Sequence, residues 1–137
     1  MFSLTRRVSF TASHRYWRSD WSALRNEQRF GSASATHSHD YSCDVTVRGP
    51  LDEETGMVVD LAQLDKVLDR EVRVRFHGMD ITTQVPEFAD GKLIPTGENL
   101  ARFIYMHVSA ALTGSAAVVR VVVREDATIS SEFAGEG

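Results

Sequence analysis

The chain has 137 residues, with 15 Lys and Arg against 19 Asp and Glu, which gives a formal net charge of −4 at pH 7. This length predicts a single domain over residues 1–137, and the slightly acidic charge predicts no general nucleic-acid surface. The single cysteine excludes an internal disulfide. Because residues 1–7 lack the apolar core of a signal peptide and no run reaches membrane-span length, we expect a cytoplasmic protein without membrane contact.

The first predicted element is a strand over residues 2–14, in which apolar and polar side chains alternate and the apolar face ends in His14. The alternation then stops, and residues 15–36 predict a long excursion that contains a short helix from about residue 21 to 28. Excursions of this length are often lids or binding loops. The alternative is a surface flap whose tryptophans only pack on the sheet.

The second predicted strand begins with His37 and His39 and continues to Gly49 with strict alternation. Residues two apart in a strand share a face, so both imidazoles lie on the apolar side. Antiparallel pairing with the first strand would bring His14 to the same end. Imidazole is a common zinc ligand, and three protein ligands with an open fourth position are typical of catalytic zinc. The pattern predicts a Zn²⁺ site; the alternative is polar residues at a strand entrance.

Two helices follow. Asp60 caps the first, whose apolar face continues to about Val72, and Thr96 caps the second, which runs to about Leu112. His107 lies on the apolar side of the second helix. We interpret it as a core histidine, because an isolated histidine is seldom a metal ligand.

Two more strands are predicted, at residues 116–124, which are dense in valine, and at residues 128–133. The order of elements predicts an α+β fold with a four-stranded antiparallel sheet and two helices on one of its faces. A sheet this small leaves exposed edges, which favours closure through oligomerisation.

Seven short blocks occur along the chain in an order and spacing that are specific as a set. They are F-x-A-S-H at 10–14, H-x-H-x-Y at 37–41, V-R-G at 47–49, G-M-V-V-D-L at 56–61, V-P-x-F-A at 85–89, I-P-T-x-E-N at 94–99, and the late acid Glu125. With these blocks the chain resembles the 6-pyruvoyltetrahydropterin synthase and 6-carboxytetrahydropterin synthase family. The resemblance implies the tunnelling fold, in which trimers close a twelve-stranded β-barrel.

The resemblance also implies a site. It assigns zinc to the three histidines and places a pterin between the subunits of a homotrimer or homohexamer. Glu125 matches the glutamate that anchors the guanidine-like edge of the pterin. Thr96 and Glu98 match the pocket wall.

In that family, 7,8-dihydroneopterin triphosphate loses triphosphate and its side chain rearranges, with a cysteine thiolate and an aspartate–histidine pair moving protons. This sequence departs from the pattern. Ala33 or a neighbour replaces the cysteine, Phe76 replaces the aspartate, and His77 alone survives. Cys43 is a poor substitute, because it lies four residues, roughly 13 Å, beyond His39 along the strand.

The first hypothesis is therefore a zinc-dependent lyase that acts on pterins with altered or weak chemistry. His77 would be its remaining acid–base group, with Asp80 as a candidate partner. A second hypothesis is a zinc-containing pterin-binding protein without turnover. A third is a structural oligomer that keeps zinc only for packing, which three ligands instead of four argue against.

Overall fold

The structure describes residues 1–136, except for the side chain of Asp90. In this part of the chain, four antiparallel strands form one sheet in the order β1–β2–β3–β4. The structure is a computed structural model. The alternating segments become strands because successive side chains of a strand face opposite sides of a sheet. The strands are β1 (Phe2–His14), β2 (His37–Gly49), β3 (Ala117–Arg124) and β4 (Ser130–Phe133).

Helices cover one face of this sheet, which confirms the predicted α+β architecture. The longest of them, α5, packs on β3 and β4, and a π-helical turn at Asp69–Arg73 joins α2 to α3. The helices are α1 (Ala23–Phe30), α2 (Leu61–Leu68), α3 (Val74–Phe76), α4 (Ile81–Gln84) and α5 (Gly97–Ala111). None of the described helices is long and apolar enough to cross a membrane.

The predicted caps hold the two main helices. A carboxylate oxygen of Asp60 accepts a hydrogen bond from the backbone N–H of Ala62, at 3.0 Å, where α2 begins. The hydroxyl of Thr96 accepts from the N–H of Asn99, at 3.1 Å, where α5 begins. Each cap satisfies a backbone donor that the first helical turn leaves without a partner.

The hydrophobic core lies between the sheet and the helices. Phe10, Tyr41 and Val45 from the sheet meet Leu64 and Ile104 from the helices, and all five are at most 3% exposed. The opposite face of β1 and β2 is polar, as the alternation predicts. Because one face is apolar and the other polar, the register of the strands is strongly determined.

β1 and β2 pair along their whole lengths, so the first residue of one strand meets the last residue of the other. His14 lies opposite His37, and Ala12 lies opposite His39. This register confirms the predicted antiparallel pairing and brings the three histidines to one end of the sheet.

Three local details differ from the sequence-based expectations. α1 begins at Ala23, later than predicted, because the Ser22 hydroxyl accepts from the N–H of Arg25. β4 begins at Ser130 and not at residue 128, because the Asp126 carboxylate holds the N–H of Thr128 in a turn.

The third difference concerns His107, which we interpreted as a core histidine. Its ring does pack on Phe103, with 4.0 Å between ring centroids. The residue remains partly exposed, however, and its Nδ1 lies 3.1 Å from the Arg75 guanidinium. His107 therefore borders the core and is not enclosed by it, because a charged side chain covers its outer edge.

Candidate metal and ligand site

The three predicted metal ligands form one cluster. Each of His14, His37 and His39 offers a ring nitrogen, and these three atoms all lie within 4.8 Å of one another. The ring centroids are 4.5 to 5.2 Å apart. This arrangement follows from the register of β1 and β2, because all three residues project from the apolar face at the same end of the sheet.

Backbone carbonyls orient two of these imidazoles. His14 Nδ1 lies 2.7 Å from the carbonyl oxygen of Pro95, and His37 Nδ1 lies 2.8 Å from that of Ala35. A carbonyl oxygen only accepts hydrogen bonds, so each Nδ1 carries a proton, and Nε2 is the nitrogen whose lone pair the neutral ring can offer. The Tyr41 hydroxyl lies within hydrogen-bond distance of the same His14 Nδ1, at 3.1 Å. In both rings Nε2 is therefore the nitrogen available to coordinate a metal.

The deepest nitrogen of the cluster has no protein partner. His14 is fully buried, and its Nε2 makes no hydrogen bond to any of the described residues. A buried polar atom without a partner costs about 1 to 3 kcal/mol, and native structures rarely keep one. A cation bound by the three imidazoles would satisfy this atom, and an all-nitrogen donor set suits Zn²⁺. The residues present therefore fit the predicted metal.

Burial also keeps the His14 ring neutral. It lowers the pKa of His14 to about 4, against the opposing effects of the Pro95 carbonyl and the Asp80 carboxylate. A neutral imidazole is the form that binds a metal. At neutral pH this ligand therefore needs no proton release before it coordinates.

Glu125, the predicted ring anchor, directly follows β3 and is only 7% exposed. Its Oε1 accepts a hydrogen bond of 3.3 Å from the Tyr16 hydroxyl. Burial raises the pKa of this carboxyl group, whereas nearby His39 and the Tyr16 hydroxyl favour its charged form. A buried carboxylate of this kind is well suited to bind a pair of N–H donors.

The other two predicted ligand contacts lie beside Glu125. Thr96 caps α5, and Glu98 in the first turn accepts a hydrogen bond of 3.0 Å from the Ser131 hydroxyl. Between them, Gly97 permits a close approach: a Cβ there would lie 2.5 Å from Ser131 Oγ and 3.8 Å from Glu125 Oε1. The tertiary structure thus brings Thr96, Glu98 and Glu125 to one place.

The predicted catalytic residues occupy separate positions. His77 is exposed, and its Nδ1 accepts a hydrogen bond of 3.1 Å from the backbone N–H of Thr11 on β1. The Asp80 carboxylate caps α4 through the N–H of Thr82, at 3.3 Å. Within residues 1–136 no hydrogen bond joins His77 to Asp80. Their catalytic roles stay predictions.

The positions that depart from the family pattern contain no ready base. Ala33 has no titratable group, and Phe76 is fully buried against Phe10 and Phe103, with ring centroids 5.4 and 5.7 Å away. Cys43 is also fully buried, and burial raises the pKa of its thiol to about 12. This agrees with the expectation that Cys43 does not replace the missing cysteine.

Sequence reasoning missed one residue of the site, Tyr16. Its ring lies edge-on to His14, with centroids 5.4 Å apart, and its hydroxyl reaches Glu125. The available signal was its spacing, because it follows His14 by two residues. That signal is weak, because the alternating pattern ends at His14.

The model of a protein family described as 6-pyruvoyl tetrahydropterin synthase matches residues 3–136. A 6-pyruvoyl tetrahydrobiopterin synthase from Pongo abelii is 36% identical over 111 residues, which cover 80% of this chain and 75% of that protein. A 6-carboxy-5,6,7,8-tetrahydropterin synthase from Aquifex aeolicus is 26% identical, across 98% of this chain and 99% of that protein.

Among solved structures, this chain is similar to the 6-pyruvoyl tetrahydropterin synthase of Caenorhabditis elegans. The TM-score is 0.91 and the sequence identity 25%, over 98% of this chain and 96% of that chain. A protein from Wolinella succinogenes with 16% identity and a TM-score of 0.69 has a similar fold.

Proposed function

The chain belongs to the 6-pyruvoyl tetrahydropterin synthase family, and from this premise we propose that it is a zinc-dependent lyase acting on 7,8-dihydroneopterin triphosphate or a related pterin. The tunnelling fold supports the assignment at the level of architecture. The site supports it at the level of chemistry, because a three-histidine cluster and a buried carboxylate lie on either side of one tyrosine.

The observation that carries the metal assignment is the partnerless Nε2 of His14 within a cluster of three imidazoles. We assign Zn²⁺ to His14, His37 and His39, with the fourth position open to solvent or substrate. When bound, the ion would act as a Lewis acid toward the oxygens of the substrate side chain and acidify the neighbouring bonds.

Glu125 would fix the other end of the substrate. A carboxylate matches two adjacent N–H donors, such as those of a 2-amino-4-oxo ring, through two parallel hydrogen bonds. The low exposure of Glu125 excludes water from these bonds and so strengthens them. The N-terminus of α5, with Thr96 and Glu98, would form the adjacent wall.

The proton-transfer chemistry is the altered part of this proposal. Ala33 or a neighbour stands where a thiol is expected, and the buried Phe76 stands where a carboxylate is expected. His77 would remain as the acid–base group, with its Nδ1 fixed by Thr11 and its Nε2 left to exchange a proton. We expect slow turnover, because each positioned acid or base typically contributes about 10² to 10⁴-fold.

The absence of the thiol and the carboxylate also favours a second candidate, a pterin-binding protein without turnover. Incubation of the zinc-loaded protein with 7,8-dihydroneopterin triphosphate separates the two, with products identified by mass spectrometry. Release of triphosphate supports the lyase, and retained but unchanged ligand supports the binding protein. Failure to bind any pterin would contradict both.

We also propose that the subunits assemble as a homotrimer or homohexamer through the sheet edges. The backbone of β1 is covered near its end, where Ser13 donates to the carbonyl of Met79 and Thr11 accepts from the N–H of Gly78. Its first half and the outer edge of the four-residue β4 are the edges left to pair. Strand edges of this kind readily pair with another chain.

A further inference from the structure

We propose that Tyr16 is a positioning residue that fixes the Glu125 carboxylate in the orientation needed to bind a 2-amino-4-oxo pteridine ring. This inference rests on the proposed pterin binding and adds to it a residue outside the blocks of the family resemblance. It also gives a role to the excursion between β1 and β2, which would otherwise be a surface flap.

The Tyr16 side chain is held firmly enough to act as a support. Its ring lies edge-on to His14 on one side and to Phe30 on the other, with centroids 5.4 and 6.0 Å apart. Its backbone N–H donates a hydrogen bond of 2.8 Å to the carbonyl of Ala33. Phe30 in turn stacks on Trp21, with centroids 5.7 Å apart. The excursion therefore packs against the histidine cluster through this tyrosine.

Glu125 needs such a support. A glutamate side chain has several rotatable bonds, and ordering it costs conformational entropy. In residues 1–136 the phenol of Tyr16 is the one side-chain hydrogen-bond partner of this carboxylate. The neighbouring Glu98 is held by Ser131 and adds a like charge that raises the pKa of Glu125. Without Tyr16, no side-chain hydrogen bond within residues 1–136 would fix the orientation of the buried Glu125 carboxylate.

The Tyr16 hydrogen bond leaves room for the ligand. An ionised carboxylate offers about four lone-pair positions on its two oxygens. Tyr16 donates to Oε1 alone. Two parallel N–H bonds from a pteridine ring would use one position on each oxygen. The tyrosine and the ring can therefore bind the same carboxylate together, so that Tyr16 orients the anchor without competing for it.

The test is calorimetry of the zinc-loaded protein with neopterin, which carries the 2-amino-4-oxo ring. Tyr16→Phe retains the aromatic packing and removes only the hydroxyl, and we expect about a tenfold loss of neopterin affinity. Tyr105→Phe is the matched control, because that ring packs on Phe133 away from the site. It should bind neopterin like the parent protein.

A second ligand separates positioning from general damage. Lumazine has an oxygen in place of the 2-amino group and offers Glu125 fewer donors. If Tyr16 acts through Glu125, Tyr16→Phe should weaken neopterin binding several-fold more than lumazine binding. General damage to the pocket would lower both affinities in the same ratio, and that result would overturn the proposal.

A double-mutant cycle with Glu125→Ala completes the test. In the Glu125→Ala background, Tyr16→Phe should have no further effect; an undiminished effect would overturn the proposal, because Tyr16 would then contact the ligand directly. Parent-like affinity of Tyr16→Phe, with weakened binding by Glu125→Ala, overturns this inference and leaves the proposed function intact. Unchanged binding by Glu125→Ala would instead refute the proposed pterin site.

Discussion

At the scale of single residues, the candidate site contains two buried polar groups, His14 and Glu125, that have few hydrogen-bond partners. His14 is fully buried with its Nδ1 held by Pro95, so only Nε2 is free to coordinate. Glu125 is nearly as buried and has one phenol as its partner. Both groups lose hydration on folding, and a ligand that satisfies them recovers part of that free energy.

The first prediction concerns the metal. The parent protein should bind about one zinc per chain, and His37→Ala with His39→Ala should abolish this, because one imidazole cannot hold the ion alone. Metal analysis of the purified proteins measures the difference. His107→Ala removes a histidine outside the cluster and should retain full zinc. A double variant with parent-like zinc content would disprove the site.

The second prediction concerns the ring anchor. Glu125→Ala should weaken neopterin binding by about one to two orders of magnitude, because it removes charge-assisted hydrogen bonds. Since burial raises the pKa of this carboxyl group, affinity should begin to fall at a higher pH than an ordinary glutamate would give. Calorimetry between pH 4 and 8 measures both effects. Glu132→Ala, at the exposed side of β4, should leave binding unchanged.

The third prediction concerns the missing base. Ala33 lies beside the site, since its carbonyl accepts from Tyr16, and a thiol there would become acidic near a bound metal. Ala33→Cys should therefore raise triphosphate release by about 10- to 100-fold. Ser34→Cys is the neighbouring control, because Ser34 is buried and its hydroxyl donates to the carbonyl of Gly31. Robust triphosphate release by the parent protein that Ala33→Cys does not increase would indicate a different base.

Restoring the carboxylate that the family pattern has at position 76 should destabilise the protein and not increase its activity. Phe76 is fully enclosed by aromatic rings, so Phe76→Asp would remove core packing and bury a carboxylate. We expect a loss of about 3 kcal/mol or more in the free energy of unfolding, measured by urea denaturation. A stable Phe76→Asp protein with increased activity would show that this position belongs to the site.

At the scale of elements, ion pairs on the polar face of the sheet link three of its strands. Asp44 on β2 lies 2.7 Å from Arg7 on β1 and 2.7 Å from Arg124 on β3. The Arg7 hydrogen bond is the main reason that the pKa of Asp44 is held below its usual value. The carboxylate therefore ties the centre of the sheet together in its ionised form.

Asp44→Asn should lower the free energy of unfolding by about 0.5 to 1 kcal/mol at pH 7, a modest value because the guanidinium groups are exposed. The folded-state pKa lies below the reference value of 3.8, so this stabilisation is present above about pH 4 and is lost as the pH falls through the folded-state pKa. Urea melts of both proteins from pH 7 to 3 should converge. Glu53→Gln, in an exposed turn, should match the parent at every pH.

At the scale of the whole molecule, the sheet is incomplete by itself. Its two edges, the first half of β1 and the short β4, have backbone groups available for pairing. In a closed barrel, the polar face of the sheet would line the inside. We expect an assembly of three or six times the 15.3 kDa mass of the chain, measured by analytical ultracentrifugation. Ile129→Lys, an exposed residue next to β4, would serve as a solubility control, and Glu132→Pro should disrupt edge pairing, because the backbone N–H of Glu132 points away from β3. A monomer at all concentrations would contradict the assembly.

Much of the fold could be predicted from the sequence, because alternation and helical periodicity report which face of each element is buried. The period of β1 and β2 predicts that His14, His37 and His39 lie on the apolar face, and the antiparallel pairing of the two strands brings them to one end. The helix caps at Asp60 and Thr96 were equally predictable from the sequence, because a cap depends on residues within one turn. The three-histidine cluster is the part of the candidate site that local patterns determine.

Only the tertiary structure decided the rest. Tyr16 and Glu125 are 109 residues apart, and no local period relates them. The carbonyl of Pro95 that sets the tautomer of His14 is 81 residues away from it. The burial of Phe76 depends on rings from β1 and α5 that close over it. The sequence determined which faces are apolar because that property repeats along the chain. Hydrogen bonds between distant side chains depend on how those faces pack, and only the folded chain specifies them.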